Sequence, residues 1–60
     1  MDEELIEKFE VLLTLVESLK SDVVKHAKGN KSAGLRVRRG LRDAKRIASD
    51  IVRESVERSR

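Results

Sequence analysis

From Leu5 to His26 the apolar seam advances in alternating steps of four and three: Leu5, Phe9, Leu12, Val16, Leu19, Val23, His26. Only an α-helix gathers residues at that spacing on one side, and so regular a stripe suits a helix packed lengthwise against another. Ile6, Val11, Leu13, Leu15 and Val24 border the seam and widen it. A single partner needs only the narrow stripe, so the wide one predicts contact with more than one neighbour. Asp2 is placed to cap the N-terminus, and Glu3, Glu4 and Glu7 suit the positive end of the helix dipole. The spacing predicts a helix over residues 3–28, about 39 Å long at 1.5 Å per residue.

The stripe stops at Gly29-Asn30. Glycine takes the left-handed conformation that ends helices, with Lys25 and Lys28 favourably placed in the last turn. Asn30 is an N-cap candidate, its side chain able to accept from the amide of Ser32 or Ala33. A turn at 29–31 would fold the chain back into an antiparallel pair; one uninterrupted helix is the alternative. The second helix is read over residues 32–57, with a seam of Ala33 or Gly34, then Val37, Leu41, Ala44, Ala48, Ile51 and Ser55. Gly40 and Ile47 border it, and beyond Val56 the chain is expected to fray. Glycine costs about 1 kcal/mol relative to alanine inside a helix. Gly34 and Gly40 therefore imply either close approach of another backbone or a weak start to this helix.

These elements make an all-α chain, one helical-hairpin domain over residues 1–60. Its length is below that at which one core usually suffices, and with no Cys it has neither disulfides nor thiolate metal sites to compensate. Oligomerisation is the remaining remedy: a dimeric four-helix bundle is the first choice, a tetramer of hairpins the second. No apolar run approaches a membrane span, and the acidic Met1-Asp2-Glu3-Glu4 start is unlike a signal peptide.

The net charge of +3 hides a division. Residues 1–28 hold seven acids and four lysines, a balance of −3, whereas residues 29–60 hold ten bases and four acids, a balance of +6. Within 31–46 there are seven bases, five of them Arg, against Asp43 alone. Planar guanidinium groups bind phosphate in a two-pronged fashion, so this segment suits a polyanion. With Val37, Leu41 and Ala44 turned inward, Arg39, Arg42 and Arg46 fall together outside, Arg53 extends the row, and Arg36, Arg38 and Lys45 flank it. Lys25, Lys28 and Lys31 add charge at the turn. Glu4 with Lys8, Glu54 with Arg58 and Arg39 with Asp43 read as i,i+4 pairs on solvated faces.

Catalytic chemistry finds no foothold. His26 is the sole histidine and is read as a locally hydrogen-bonded end to the seam, with a pH switch or phosphate contact as the alternative. The serines lack a basic dyad partner, and Gly29, Gly34 and Gly40 do not match a phosphate-cradling loop. No enzyme, cofactor, metal or small-molecule substrate is expected. Phe9 is the only aromatic, so no platform exists for stacking unpaired bases, and no base-reading module is present. What remains is sequence-nonspecific binding of double-stranded DNA through phosphates, by Lys28, Lys31, Arg36, Arg38, Arg39, Arg42, Lys45 and Arg46.

The stretch Gly29-Asn30-Lys31-Ser32-Ala33-Gly34-Leu35-Arg36-Val37-Arg38 resembles the bacterial linker-histone-like nucleoid proteins of the chlamydial type. That family carries Gly-Asn-Lys-x-Ala followed closely by Arg-x-Arg. Ile47-Ala48 and Arg53-Glu54-Ser55-Val56 are similar to its later helix, so the resemblance spans roughly residues 23–57, with Ile51 where an aromatic often stands. It implies a cytoplasmic, nucleoid-associated, DNA-compacting protein with a helical N-terminal region. Larger members continue into a Lys- and Ala-rich tail. A sequence whose last residue is Arg60 resembles the short tail-less members, or a longer chain cut short, and implies DNA contact through the folded part. The competing class is a structural or adaptor coiled coil whose basic half meets an acidic protein partner.

Overall fold

The computed structural model describes residues 3–59, all three of whose regular elements are helices: α1 (Glu3–Ser18), α2 (Lys20–Ala27) and α3 (Lys31–Arg58). Asp2, the expected cap, and Arg60 lie outside the described residues.

The helix expected over 3–28 is interrupted at Leu19. The Ser18 hydroxyl donates to the Leu15 carbonyl at 2.6 Å. That carbonyl is the normal partner of the Leu19 amide, which turns instead to Val16 O at 3.1 Å. The ladder tightens by one residue, and α2 resumes when Val23 N–H bonds Leu19 O at 2.9 Å. A hydroxyl competing for backbone in mid-helix is a known cause of bending.

The turn forms as the residues dictate. Gly29 has φ +103°, the Asn30 amide reaches back to Lys25 O at 3.0 Å, and the Gly29 amide bonds His26 O at 2.9 Å. Together these are the two bonds of a Schellman stop. Asn30 then caps α3, its Oδ1 accepting from the Ala33 amide at 2.9 Å. α3 starts at Lys31 and continues through Arg58, beyond the expected 32–57, so Glu57 and Arg58 are helical.

α3 runs antiparallel to α1 and α2. Leu19 packs over Gly40 and the His26 ring over Gly34, while Lys8 meets Glu54 and Asp22 meets Arg36. A Cβ at either glycine would penetrate those side chains. The close neighbour at both positions is thus a side chain, not the backbone expected from sequence. The pair is a slender blade of 46 × 16 × 11 Å.

Its core is small: Leu19, Ala33, Val37 and Ala44 are the buried hydrophobic residues among those described, joined by Gly34 and Gly40. The seam shifts on both arms of the hairpin. Leu5, Leu12 and Leu15 are half-buried against α3, whereas Phe9, Val16 and Val23 are exposed. On α3 Gly40 is buried and Leu41 exposed, reversing the expected order. The apolar stripe was wide enough to hold two faces, and α3 covers only one of them.

Candidate nucleic-acid interface

Small residues decide how α3 is turned. Ala33, Gly34, Val37, Gly40 and Ala44 pack inward, so at about 100° per residue Arg39, Arg42 and Arg46 fall on the far side of the helix. All eight proposed contact residues are exposed. Six of them (Lys28, Lys31, Arg38, Arg39, Arg42 and Lys45) form no side-chain hydrogen bond or ion pair with the described residues.

The other two are engaged. Arg36 grips Asp22, with Nη2 2.9 Å from Oδ1 and Nε 3.1 Å from each carboxylate oxygen. The hydrogen bond from Arg36, reinforced by its charge and by that of Lys25, holds the Asp22 carboxyl below its ordinary range against partial burial. The same bond raises Arg36 above its already high value. Arg46 Nη2 lies 2.8 Å from Asp43 Oδ1. The expected Arg39–Asp43 pair is therefore replaced by Arg46–Asp43 one turn on, which leaves Arg39 exposed without it.

At the other end of the hairpin the bases are tied down. Lys8 donates to Glu54 at 2.8 Å and lies 3.7 Å from Glu4. Its charged form is favoured chiefly by the Glu54 hydrogen bond. Arg53 pairs with Asp50 at 3.1 Å and Arg58 with Glu54 at 2.9 Å, as expected for the latter.

Folding thus redistributes the charge. Beyond the level where Leu19 meets Gly40, the tip half (residues 18–42) carries eight bases against Asp22, a balance of +7. The open half (residues 3–17 and 43–59) carries nine acids and five bases, a balance of −4. The division lies between tip and open end, not between the first and second halves of the sequence. Lys20 joins the positive tip by virtue of the fold, beside Lys25, whose charge at the turn was expected from its place in the sequence.

His26 lies beside this tip, with Nδ1 3.2 Å from the Asn30 carbonyl oxygen. A carbonyl only accepts, so Nδ1 carries the proton. A shallow groove on α1 is lined by Glu7, Glu10, Val11, Thr14 and Leu15, and a second holds the Lys8–Glu54 pair with Asp50, Arg53 and Glu57. Among the described residues no three His, Cys, Asp or Glu side chains are grouped to hold a metal ion. No helix there is long and apolar enough to cross a membrane.

A family model described as histone H1-like protein Hc1 matches residues 6–60. Comparison with curated proteins and with solved structures finds no match.

Proposed function

The chain belongs to the histone H1-like protein Hc1 family, and from that premise we propose that it binds duplex DNA through phosphates along the outer edge of α3. The observation that carries this reading is the contrast in pairing. Lys8, Arg53 and Arg58 toward the open end are held by carboxylates, while Lys31, Arg38, Arg39 and Arg42 in the tip half, and Lys45 just beyond it, stand exposed without side-chain partners among the described residues. Placing unneutralised guanidinium groups in a row costs self-repulsion, which a polyanion relieves. Lys28 assists from the turn. Arg36 and Arg46 contribute charge while remaining oriented by Asp22 and Asp43.

Such contacts supply affinity without base readout, so binding is sequence-nonspecific. The protein then acts in the bacterial cytoplasm as a nucleoid-organising, histone-like component. It acts as a homo-oligomer, a dimeric four-helix bundle. Among the described residues eleven large hydrophobic side chains remain over two-fifths exposed, far more apolar surface than an isolated hairpin of this size needs to leave wet.

The decisive measurement is a gel shift of purified protein with random duplex DNA at two salt concentrations. Binding at low salt that weakens steeply at the higher concentration supports the reading. No shift at low salt overturns it.

A further inference from the structure

Leu35 is an apolar side chain set among charges. It lies two residues before Val37 and nine before Ala44, both buried. At about 100° per residue it therefore stands about 160–180° round α3 from the core. Its side chain is 47% exposed. On this outer face its helical neighbours at i−4, i+3, i+4 and i+7 are Lys31, Arg38, Arg39 and Arg42. All four are exposed and form no side-chain hydrogen bond or ion pair with the described residues. Lys31 and Arg38 fall about 40–60° to one side of Leu35, and Arg39 about 40° to the other. The first acid along α3 is Asp43, eight residues on and paired with Arg46. Leu35 is thus the centre of the unneutralised patch.

A lone exposed leucine is ordinary on a protein surface. One ringed by free cations fits a counterpart with an anionic rim and an apolar centre. The major groove of duplex DNA has both: phosphates along its two walls and the thymine 5-methyl on its floor. That groove, about 12 Å wide, admits a helix of about 10–12 Å, whereas the minor groove, about 6 Å wide, does not. An anionic bilayer also joins phosphate to hydrocarbon, but a helix lying in it needs a broad apolar face. Over residues 31–46 the outer face of α3 carries Leu35 alone.

Resting on the proposed DNA contact, we infer that α3 enters the major groove with Leu35 against thymine methyl groups on its floor. Lys31 and Arg38 then reach the phosphates of one wall and Arg39 those of the other. Leu35 sits in the first turns of α3, where a straight helix comes nearest the base edges before the groove curves away. Leucine neither donates nor accepts a hydrogen bond, so it reads no base code. It adds a bias of about fourfold per buried methyl to an affinity that the phosphates set.

Deoxyuridine in place of thymine removes the 5-methyl and keeps the phosphates and the pairing. In gel shifts at fixed salt, the natural chain should bind an alternating A·T duplex about fourfold more tightly per buried methyl than its deoxyuridine counterpart. The salt slope should be the same on both, because the phosphate contacts are unchanged. Cytosine replaced by 5-methylcytosine in a G·C duplex should strengthen binding to a similar degree. Leu35→Ala should lose both methyl effects while keeping the natural salt slope and helix content, and Leu35→Met should restore them. Equal affinity of the natural chain for methylated and unmethylated duplexes, or methyl discrimination that survives in Leu35→Ala, overturns the role of Leu35 and leaves phosphate binding intact. Displacement of the natural chain by netropsin, which fills the minor groove, overturns the major-groove entry. Methyl indifference together with loss of binding to anionic lipid vesicles in Leu35→Ala assigns the leucine to a membrane instead and overturns the inference. No shift on any duplex at low salt removes the DNA reading itself.

Discussion

At Gly29 the backbone has φ +103°, a conformation that side chains with a Cβ adopt only with strain. Gly29→Val should lower stability by about 1–3 kcal/mol in chemical denaturation. Unchanged stability would mean that the chain can pass this junction without the left-handed residue. Gly40 imposes a different constraint, because the Leu19 methyls occupy the space a Cβ would need. Gly40→Ala gains about 1 kcal/mol of helix propensity and loses about 1–3 kcal/mol to overpacking, so a net loss is expected. Asp22 supplies a pH test. Its folded value is depressed by Arg36, so its contribution is present above the unfolded carboxylate range near ~3.9 and disappears as pH falls through the lowered value. Lys8, raised by Glu54, contributes below ~10.4 and loses its effect as pH rises through its higher folded value. Melting curves across acid pH should therefore fall less for Asp22→Asn than for the natural chain. At this scale the glycine stop and the Asn30 cap were legible, since each is a local property of one or two residues. The Asp22–Arg36 grip was not: its partners are 14 residues apart and meet only through the hairpin register.

Helix periodicity locates an element more securely than it aims it. The stripe from Leu5 to Val24 correctly marked helix but holds two faces, and spacing alone does not say which one α3 takes. The small side of α3 decides it: Gly40 admits Leu19, and that contact turns Leu12 and Leu15 inward and Phe9 outward. Nor did periodicity foresee the break after Ser18, because the helix yields there to a hydroxyl that captures one carbonyl. Leu19 follows directly and is 8% exposed, the most buried residue of α1, α2 and the break between them. Leu19→Asp places an unpaired carboxylate over Gly40 and should abolish cooperative unfolding, read by circular dichroism. Leu12→Asp, half-buried on the same face, should also destabilise the fold, but less. Equal tolerance of both would mean that the α3 contact does not organise the hairpin.

The whole molecule arranges charge in a way neither half of the sequence displays. Counting along the chain found an acidic first half and a basic second half, whereas folding converts them into a positive tip and a negative open end. The basic residues were legible as a set; which of them would be occupied by carboxylates was not, because Asp22 and Asp43 choose their partners through geometry. That choice makes Arg39 and Arg42 the sharpest probes of function. Both are exposed and form no side-chain hydrogen bond or ion pair with the described residues, so Glu at both positions should leave helix content intact. If Z phosphates are neutralised, log affinity falls with log salt at a slope of about −0.9Z. In the proposed dimer the double variant removes up to four contacts, so its slope should flatten by up to about 3.6, with binding weakened alike on all sequences. Arg58→Ala, at the open end beside Glu54, is the comparison and should change the slope little. Salt-independent binding by the natural chain, or one strongly preferred DNA sequence, would overturn the phosphate mechanism. A double variant with an unchanged slope would move the contact off the α3 edge.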